Sequence, residues 1–99
     1  MKSKKELYID KMAEQLKEWS AAIDELESRM SEASAEAKDQ YAKRIQDLKE
    51  KRELLSVKLR ELGDAGGEAW DALKAGMETS WEEMKKAIHT AKEKFRKAA

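Results

Sequence analysis

The spacing of the apolar residues in the first half of the chain is the feature that most constrains its fold. The first run of apolar residues alternates three and four positions apart and consists of Ile9, Met12, Leu16, Trp19, Ile23, Leu26, Met30 and Ala33. The second run keeps this rhythm, with Arg52 in one seam position, and its apolar members are Tyr41, Ile45, Leu48, Leu55, Leu59 and Leu62. Such spacing is typical of the narrow seam of a left-handed coiled coil. The chain has no proline to interrupt a helix.

The two runs are mirror images of each other. When the two runs are aligned antiparallel, the residues that lie opposite each other, such as Ile9 and Leu62, have residue numbers that add up to 71. The sequence therefore predicts that the two runs pack antiparallel. A helical hairpin and a continuous helix over residues 3–62 paired with a second copy both satisfy this register. Residues 31–38 lack glycine and are rich in helix formers. We therefore favour the continuous helix in an antiparallel homodimer, with the hairpin as the alternative.

A glycine-rich segment, residues 63–67, predicts a hinge after this helical region. Gly63 suits the left-handed conformation after a helix end, and Asp64 suits the N-cap of the next helix. We expect a C-terminal helix that begins between residues 66 and 68 and ends at residue 97. Its apolar stripe consists of Trp70, Leu73, Met77, Trp81, Met84, Ile88, Ala91 and Phe95.

The C-terminal helix is acidic in its first half and basic in its second half, an order that complements the helix macrodipole. It can return onto apolar residues beside the main seam, namely Tyr8, Ala13, Ala22, Leu54 and Val57. The fold class that follows is all-α, a single coiled-coil domain over residues 1–99 with three-helix layers.

Charge and hydropathy exclude several classes of function. The 21 basic and 21 acidic residues balance, so no net field attracts the chain to nucleic acid. We find no signal-peptide pattern and no run of roughly 20 apolar residues, and we expect a cytoplasmic protein. The chain has no cysteine, which removes disulfides and thiolate ligands.

No pattern of side chains predicts chemistry. His89 is the single histidine, and its helical neighbours Lys85 and Glu93 do not complete a metal site. Glu82 and Glu83 lie beside lysines on a face that we expect to be exposed. The chain is therefore predicted to have no catalytic, cofactor-binding or metal-binding residues and not to be an enzyme.

The three tryptophans allow more than one interpretation. Trp19, Trp70 and Trp81 lie on the apolar stripes, where core packing is commoner than an aromatic cage or a membrane anchor. In the antiparallel register Arg52 is level with Trp19, which suggests a cation–π contact. Gly76 lies inside the third helix, where it permits close packing or bending.

Four pairs in which an acidic residue lies four positions before a basic residue are expected to form ion pairs on the helix surfaces. They are Glu25 with Arg29, Asp47 with Lys51, Glu82 with Lys86, and Glu93 with Lys97.

The order of these features resembles a family of small bacterial coiled-coil proteins that are associated with stress responses. The resemblance covers nearly the whole chain, and its most specific part is the block of residues 69–76. The other matching segments are residues 8–12, 16–19, 23–26, the alanine-rich middle up to Tyr41, residues 59–62, and Trp81. This family brings no established activity, cofactor or catalytic residue, so the resemblance implies an interaction or stress-protective role in bacteria.

The leading hypothesis is a non-enzymatic scaffold that associates with itself or with other helices, with no nucleic acid as partner. The alternative is a peripheral membrane or lipid-responsive bundle that opens onto an anionic membrane surface. The three amphipathic helices are loosely similar to exchangeable lipid-binding bundles, an analogy of fold only.

Overall fold

A computed structural model of the protein describes the backbone of residues 2–98 and the side chains of residues 2–96. These residues form three helices, α1 (Lys4–Met30), α2 (Ala35–Asp64) and α3 (Gly67–Ala98). The described part of the chain contains no strand, which confirms the all-α fold class. The helices pack into one elongated bundle with extents of 51 × 24 × 17 Å.

The preferred continuous helix is wrong for this structure, because the chain turns between α1 and α2 and forms the alternative hairpin. Two serines make the turn without glycine. The Ser31 hydroxyl donates to the Ser28 carbonyl at 2.9 Å, and the Ser34 hydroxyl accepts from the Ala37 amide at 3.3 Å. These side chains satisfy helix-terminal groups that would otherwise be unpaired. The absence of glycine was therefore a poor argument against a hairpin.

The hairpin buries the predicted seam within one chain. The seam residues that are at most 9% exposed are Leu16, Trp19, Ile23, Leu26, Ile45, Leu48, Leu55, Leu59 and Leu62. Ile9, Met12, Met30 and Tyr41 pack against them at the two ends and are half-buried. Burial of a leucine or isoleucine side chain contributes about 1.5–3 kcal/mol, so the seam is the main source of stability for α1 and α2.

The connection to α3 is shorter than the predicted hinge. Gly63 and Asp64 belong to α2, so neither has the role that the sequence suggested. The chain bends at Ala65, which is extended (φ −76°, ψ 140°), and at Gly67, which has φ 37°. The Gly66 carbonyl accepts from the amides of Ala69 and Trp70 and thereby starts α3. The left-handed conformation thus lies at Gly67, where a side chain would be strained.

Three aromatic pairs set the direction of α3. The ring centroids are 5.9 Å apart in Tyr8–Trp70 and 4.7 Å apart in Trp19–Trp81, so α3 runs parallel to α1. The third pair, Tyr41–Phe95, has a centroid distance of 4.1 Å and joins the start of α2 to the end of α3. The topology is therefore up-down-up, with three helices in each layer.

The predicted stripe of α3 is buried, with the exception of Leu73, which is 37% exposed. The prediction that α3 covers Leu54, Val57 and Ala13 is wrong. Leu54 is 52% and Val57 38% exposed, and Ala13 is exposed as well, whereas Tyr8 and Ala22 are half-buried. The stripe of α3 is only wide enough to cover the seam between α1 and α2.

Candidate interaction surfaces

The interior of the bundle offers no polar group to a ligand. All buried side chains among residues 2–96 are hydrophobic, and none of their buried nitrogen or oxygen atoms lacks a hydrogen-bond partner. The described residues contain no group of three or more His, Cys, Asp or Glu side chains that could hold a metal ion. The surfaces between the helices are therefore the features to consider.

A groove of about 380 Å³ lies between the ends of α1 and α3, beside His89. Two ion pairs line it, Glu25–Arg29 at 3.1 Å and Glu93–Arg96 at 2.9 Å. Each guanidinium is thus neutralised by a carboxylate of its own helix. With Lys92 the groove has three basic and two acidic side chains, so its surplus is a single positive charge.

Two of the predicted ion pairs are present, Glu25–Arg29 and Asp47–Lys51, the latter at 2.6 Å. The prediction for Glu82 with Lys86 is wrong, because the ion pairs of residues 2–96 do not include it. The predicted pair of Glu93 with Lys97 depends on a side chain that lies outside the described residues. The exposed pairs each contribute at most a few tenths of a kcal/mol.

The tryptophans belong to the core of the closed bundle, and each is at most 9% exposed. The hypothesis of a cation–π contact between Arg52 and Trp19 is wrong. The cation–π contacts of the described residues do not include it, and Trp19 instead packs on Trp81. Arg52 lines a groove of about 370 Å³ between α1 and α2. The heptad position alone did not reveal that α3 would supply the partner of Trp19.

A cluster of aromatic and charged side chains joins the start of α1 to α3. The Lys5 amine lies 5.1 Å from the Trp70 ring centroid, and the Lys74 amine lies 4.9 Å from the Tyr8 ring centroid. The Tyr8 hydroxyl donates to the Glu78 carboxylate at 3.3 Å. Partial burial, followed by the charge of Glu78 and this hydrogen bond, raises the pKa of Tyr8 to about 12. The sequence analysis placed Tyr8 beside α3 but did not identify this cluster.

The charges of α1 and α3 are complementary along their length. The first half of α1, residues 4–17, has four lysines and three acidic residues, so its net charge is +1 (4 − 3). It lies beside the acidic first half of α3. The second half of α1 carries Glu18, Asp24, Glu25 and Glu27 and lies beside the basic half of α3. Because the helices run parallel, each half of α3 faces the opposite charge.

The hairpin turn is the second feature that sequence reasoning underestimated. Ser31 is in the right-handed helical region (φ −61°, ψ −22°), and Ser34 is extended (φ −65°, ψ 160°). Two short-range bonds close the turn, from the Glu32 amide to the Arg29 carbonyl at 3.0 Å and from the Ala33 amide to the Met30 carbonyl at 3.1 Å. No residue other than glycine has a positive φ in the described chain. Each turn residue can therefore also adopt a helical conformation.

The side chains that line the grooves show how α1 and α2 face each other. Ile9 and Gly63 line one groove, Leu16 and Leu59 line another, and Lys49 binds Glu27. The two helices are thus antiparallel. Each of these pairs is displaced along the helices by at most about one and a half turns from the register that the mirror symmetry of the sequence predicts. The finer heptad register of a coiled coil stays a prediction.

Within residues 2–98, no helix combines the length and the apolar character that are needed to cross a membrane. Comparisons with protein-family models, curated proteins and solved structures find no match to this chain.

Proposed function

We propose that this protein is a non-enzymatic helical scaffold of the cytosol, which works by pairing its helices with those of a second copy or of another helical protein. The mirror symmetry of the seam carries the proposal, because the apolar faces of α1 and α2 can be buried against each other within one chain or against those of a second chain. The bacterial, stress-linked role that the family resemblance implies belongs to this proposal.

The composition of the core supports helix pairing. Buried polar residues, such as an asparagine in a seam, fix the register and the number of helices in a bundle. Among the described residues the core contains no such residue. The fully buried side chains Ile23, Leu48 and Leu55 are interchangeable apolar contacts. An apolar helix from another chain can replace α1 without leaving a polar group unpaired.

The shape of the bundle also supports a role in association. Its accessible surface is 6997 Å², whereas a compact monomer of 11.4 kDa has roughly 5,800 Å². Its radius of gyration is 15.8 Å, compared with about 13 Å for a compact domain of this length. The elongated form thus leaves more surface for contacts than a compact fold of equal mass.

Light scattering coupled to size exclusion tests the proposal. The mass is measured from low micromolar to near-millimolar concentrations, after refolding at each concentration. We expect a dimer fraction that rises with concentration. A constant monomer mass over this range, in buffers of low and high salt, would refute self-association.

A second candidate function is a peripheral, lipid-responsive bundle, and the polarity of α3 favours it. The basic half of α3 carries Met84, Ile88 and Phe95 on its buried face, and Trp81 lies just before it. An anionic surface would compete with the acidic half of α1 for the lysines of this half and for Arg96.

Co-sedimentation with vesicles separates the two functions. A lipid-responsive bundle binds phosphatidylserine-containing vesicles, does not bind purely zwitterionic vesicles, and loses binding in high salt or with Trp81→Glu. A scaffold stays in the supernatant with both types of vesicle.

A further inference from the structure

We propose that two copies of this chain exchange their α1 helices by straightening the turn at residues 31–34 into continuous helix. The inference rests on the proposed self-association and specifies its route. In the exchanged dimer, residues 4–64 of each copy form one helix that pairs antiparallel with the other copy. The α1 of one copy then lies on the α2 and α3 of the other copy.

The first argument is the conformation of the turn. Ser31 is already helical, and Ser34 needs only a rotation of its ψ from 160° to the helical value near −42°. The segment of residues 31–38 consists of serine, glutamate, alanine and lysine, all of which are compatible with a helix interior. Most helical hairpins have a glycine or proline that resists straightening. This turn has neither residue.

The second argument is the register. In the predicted register, opposite residues of the seam have residue numbers that add up to 71. A straight helix that pairs with a second copy about a two-fold axis at Ala35 and Glu36 therefore has Ile9 opposite Leu62 in both halves of the dimer. The apolar faces of α1 and α2 can therefore pack between chains in the same antiparallel sense that they have inside one chain. Exchange of identical elements is an inexpensive route to dimers, because the contacts that are lost on opening are regained.

The third argument is the small side chains at the centre of the straightened helix. Ala33 and Ala37 lie on the seam face of a continuous helix and would face the second copy near the two-fold axis. In the hairpin both are only half-buried. Small residues allow two helices to approach closely, so the exchanged dimer gains a contact that the monomer lacks.

Three variants test the exchange. Ser34→Ala removes the N-cap of α2 and destabilises the bent form about fivefold, and two chains open per dimer, so the association constant should rise roughly 30-fold. Ser28→Ala is the matched control, since Ser28 lies inside a helix in both forms and its carbonyl is unchanged. This control should leave the association constant unchanged.

Ala35→Pro should have the opposite effect. Ala35 is the first residue of α2, a position that accepts proline, and the preceding Ser34 has the extended conformation that proline requires. The closed monomer therefore tolerates the change. In the straight helix the proline would be an interior residue, and the association constant should fall by roughly 10⁴-fold.

Chemical cross-linking reports which chain supplies each helix. A carbodiimide joins a lysine to a carboxylate in contact, and Lys49 contacts Glu27 across the hairpin. A mixture of ¹⁴N- and ¹⁵N-labelled chains is refolded together, cross-linked and digested. Exchange predicts Lys49–Glu27 peptides of mixed isotope in the dimer fraction and of single isotope in the monomer fraction. Glu27→Gln is the control that removes this cross-link.

The outcomes separate the exchange from the proposed function. A dimer that forms equally well with Ala35→Pro, or that contains only single-isotope Lys49–Glu27 peptides, overturns the exchange and leaves the scaffold standing. Monomers in every variant, including Ser34→Ala, overturn both the exchange and the self-association on which it rests. If Ala35→Pro loses its helical circular dichroism, the comparison of Ser34→Ala with Ser28→Ala and the isotope test still decide.

Discussion

Leu54 and Leu55 provide a matched test of how this bundle is stabilised. They are adjacent residues of the same helix, yet Leu54 is 52% exposed and Leu55 is 1% exposed. Replacement of either by alanine removes the same atoms and leaves the same backbone. Any difference in the free energy of unfolding therefore reports burial against α1 and α3.

The expected magnitudes follow from the buried area. Leucine to alanine removes three carbon groups, worth about 0.8 kcal/mol each when buried, and the remaining cavity adds to this cost. We expect Leu55→Ala to lower the free energy of unfolding by about 3 kcal/mol. Leu54→Ala should lower it by less than about 1 kcal/mol, because half of the side chain is already in water.

Urea unfolding followed by circular dichroism at 222 nm measures both values by linear extrapolation. Thermal unfolding should show a gap of roughly 8–16 °C between the two midpoints for a 2 kcal/mol difference in this size of domain. The measurements belong at low micromolar concentration, where the proposed dimer is least populated. Equal losses in the two variants would show that α2 does not present Leu55 to the core, and the packing described above would be wrong.

Three further predictions follow from individual side chains. Gly76→Ala should raise the free energy of unfolding by about 1 kcal/mol in urea titrations, because an added Cβ meets no atom within 4 Å and alanine favours helix; a loss of stability would indicate a neighbour at this position. The phenol of Tyr8, followed at 295 nm with the other tyrosine replaced by phenylalanine, should titrate near pH 12. Since this pKa lies above the usual value of about 10, its contribution to stability is complete below pH 10 and is lost as the pH rises towards 12, and Glu78→Gln should lower the midpoint. Arg52→Ala should leave the fluorescence of Trp19 unchanged, because the Trp19 ring packs on Trp81; a marked change would restore the cation–π hypothesis.

The sequence alone determined the helices and their buried faces. The three- and four-residue spacing from Ile9 to Leu62 and the stripe from Trp70 to Phe95 identified all 16 buried hydrophobic residues of the described chain. This succeeds because the period of a helix fixes which side chains share a face, whatever element covers them.

Only the tertiary structure decided which element covers each face. The mirror symmetry of the seam makes a hairpin and a two-chain pairing equivalent in register, so the local conformation of Ser31 and Ser34 had to separate them. The partner of Trp19 and the cluster around Tyr8 depend on where α3 lies, and that position follows from the bend at Gly67. Such contacts join residues that are 60 or more positions apart, and helical periodicity carries no information on those distances.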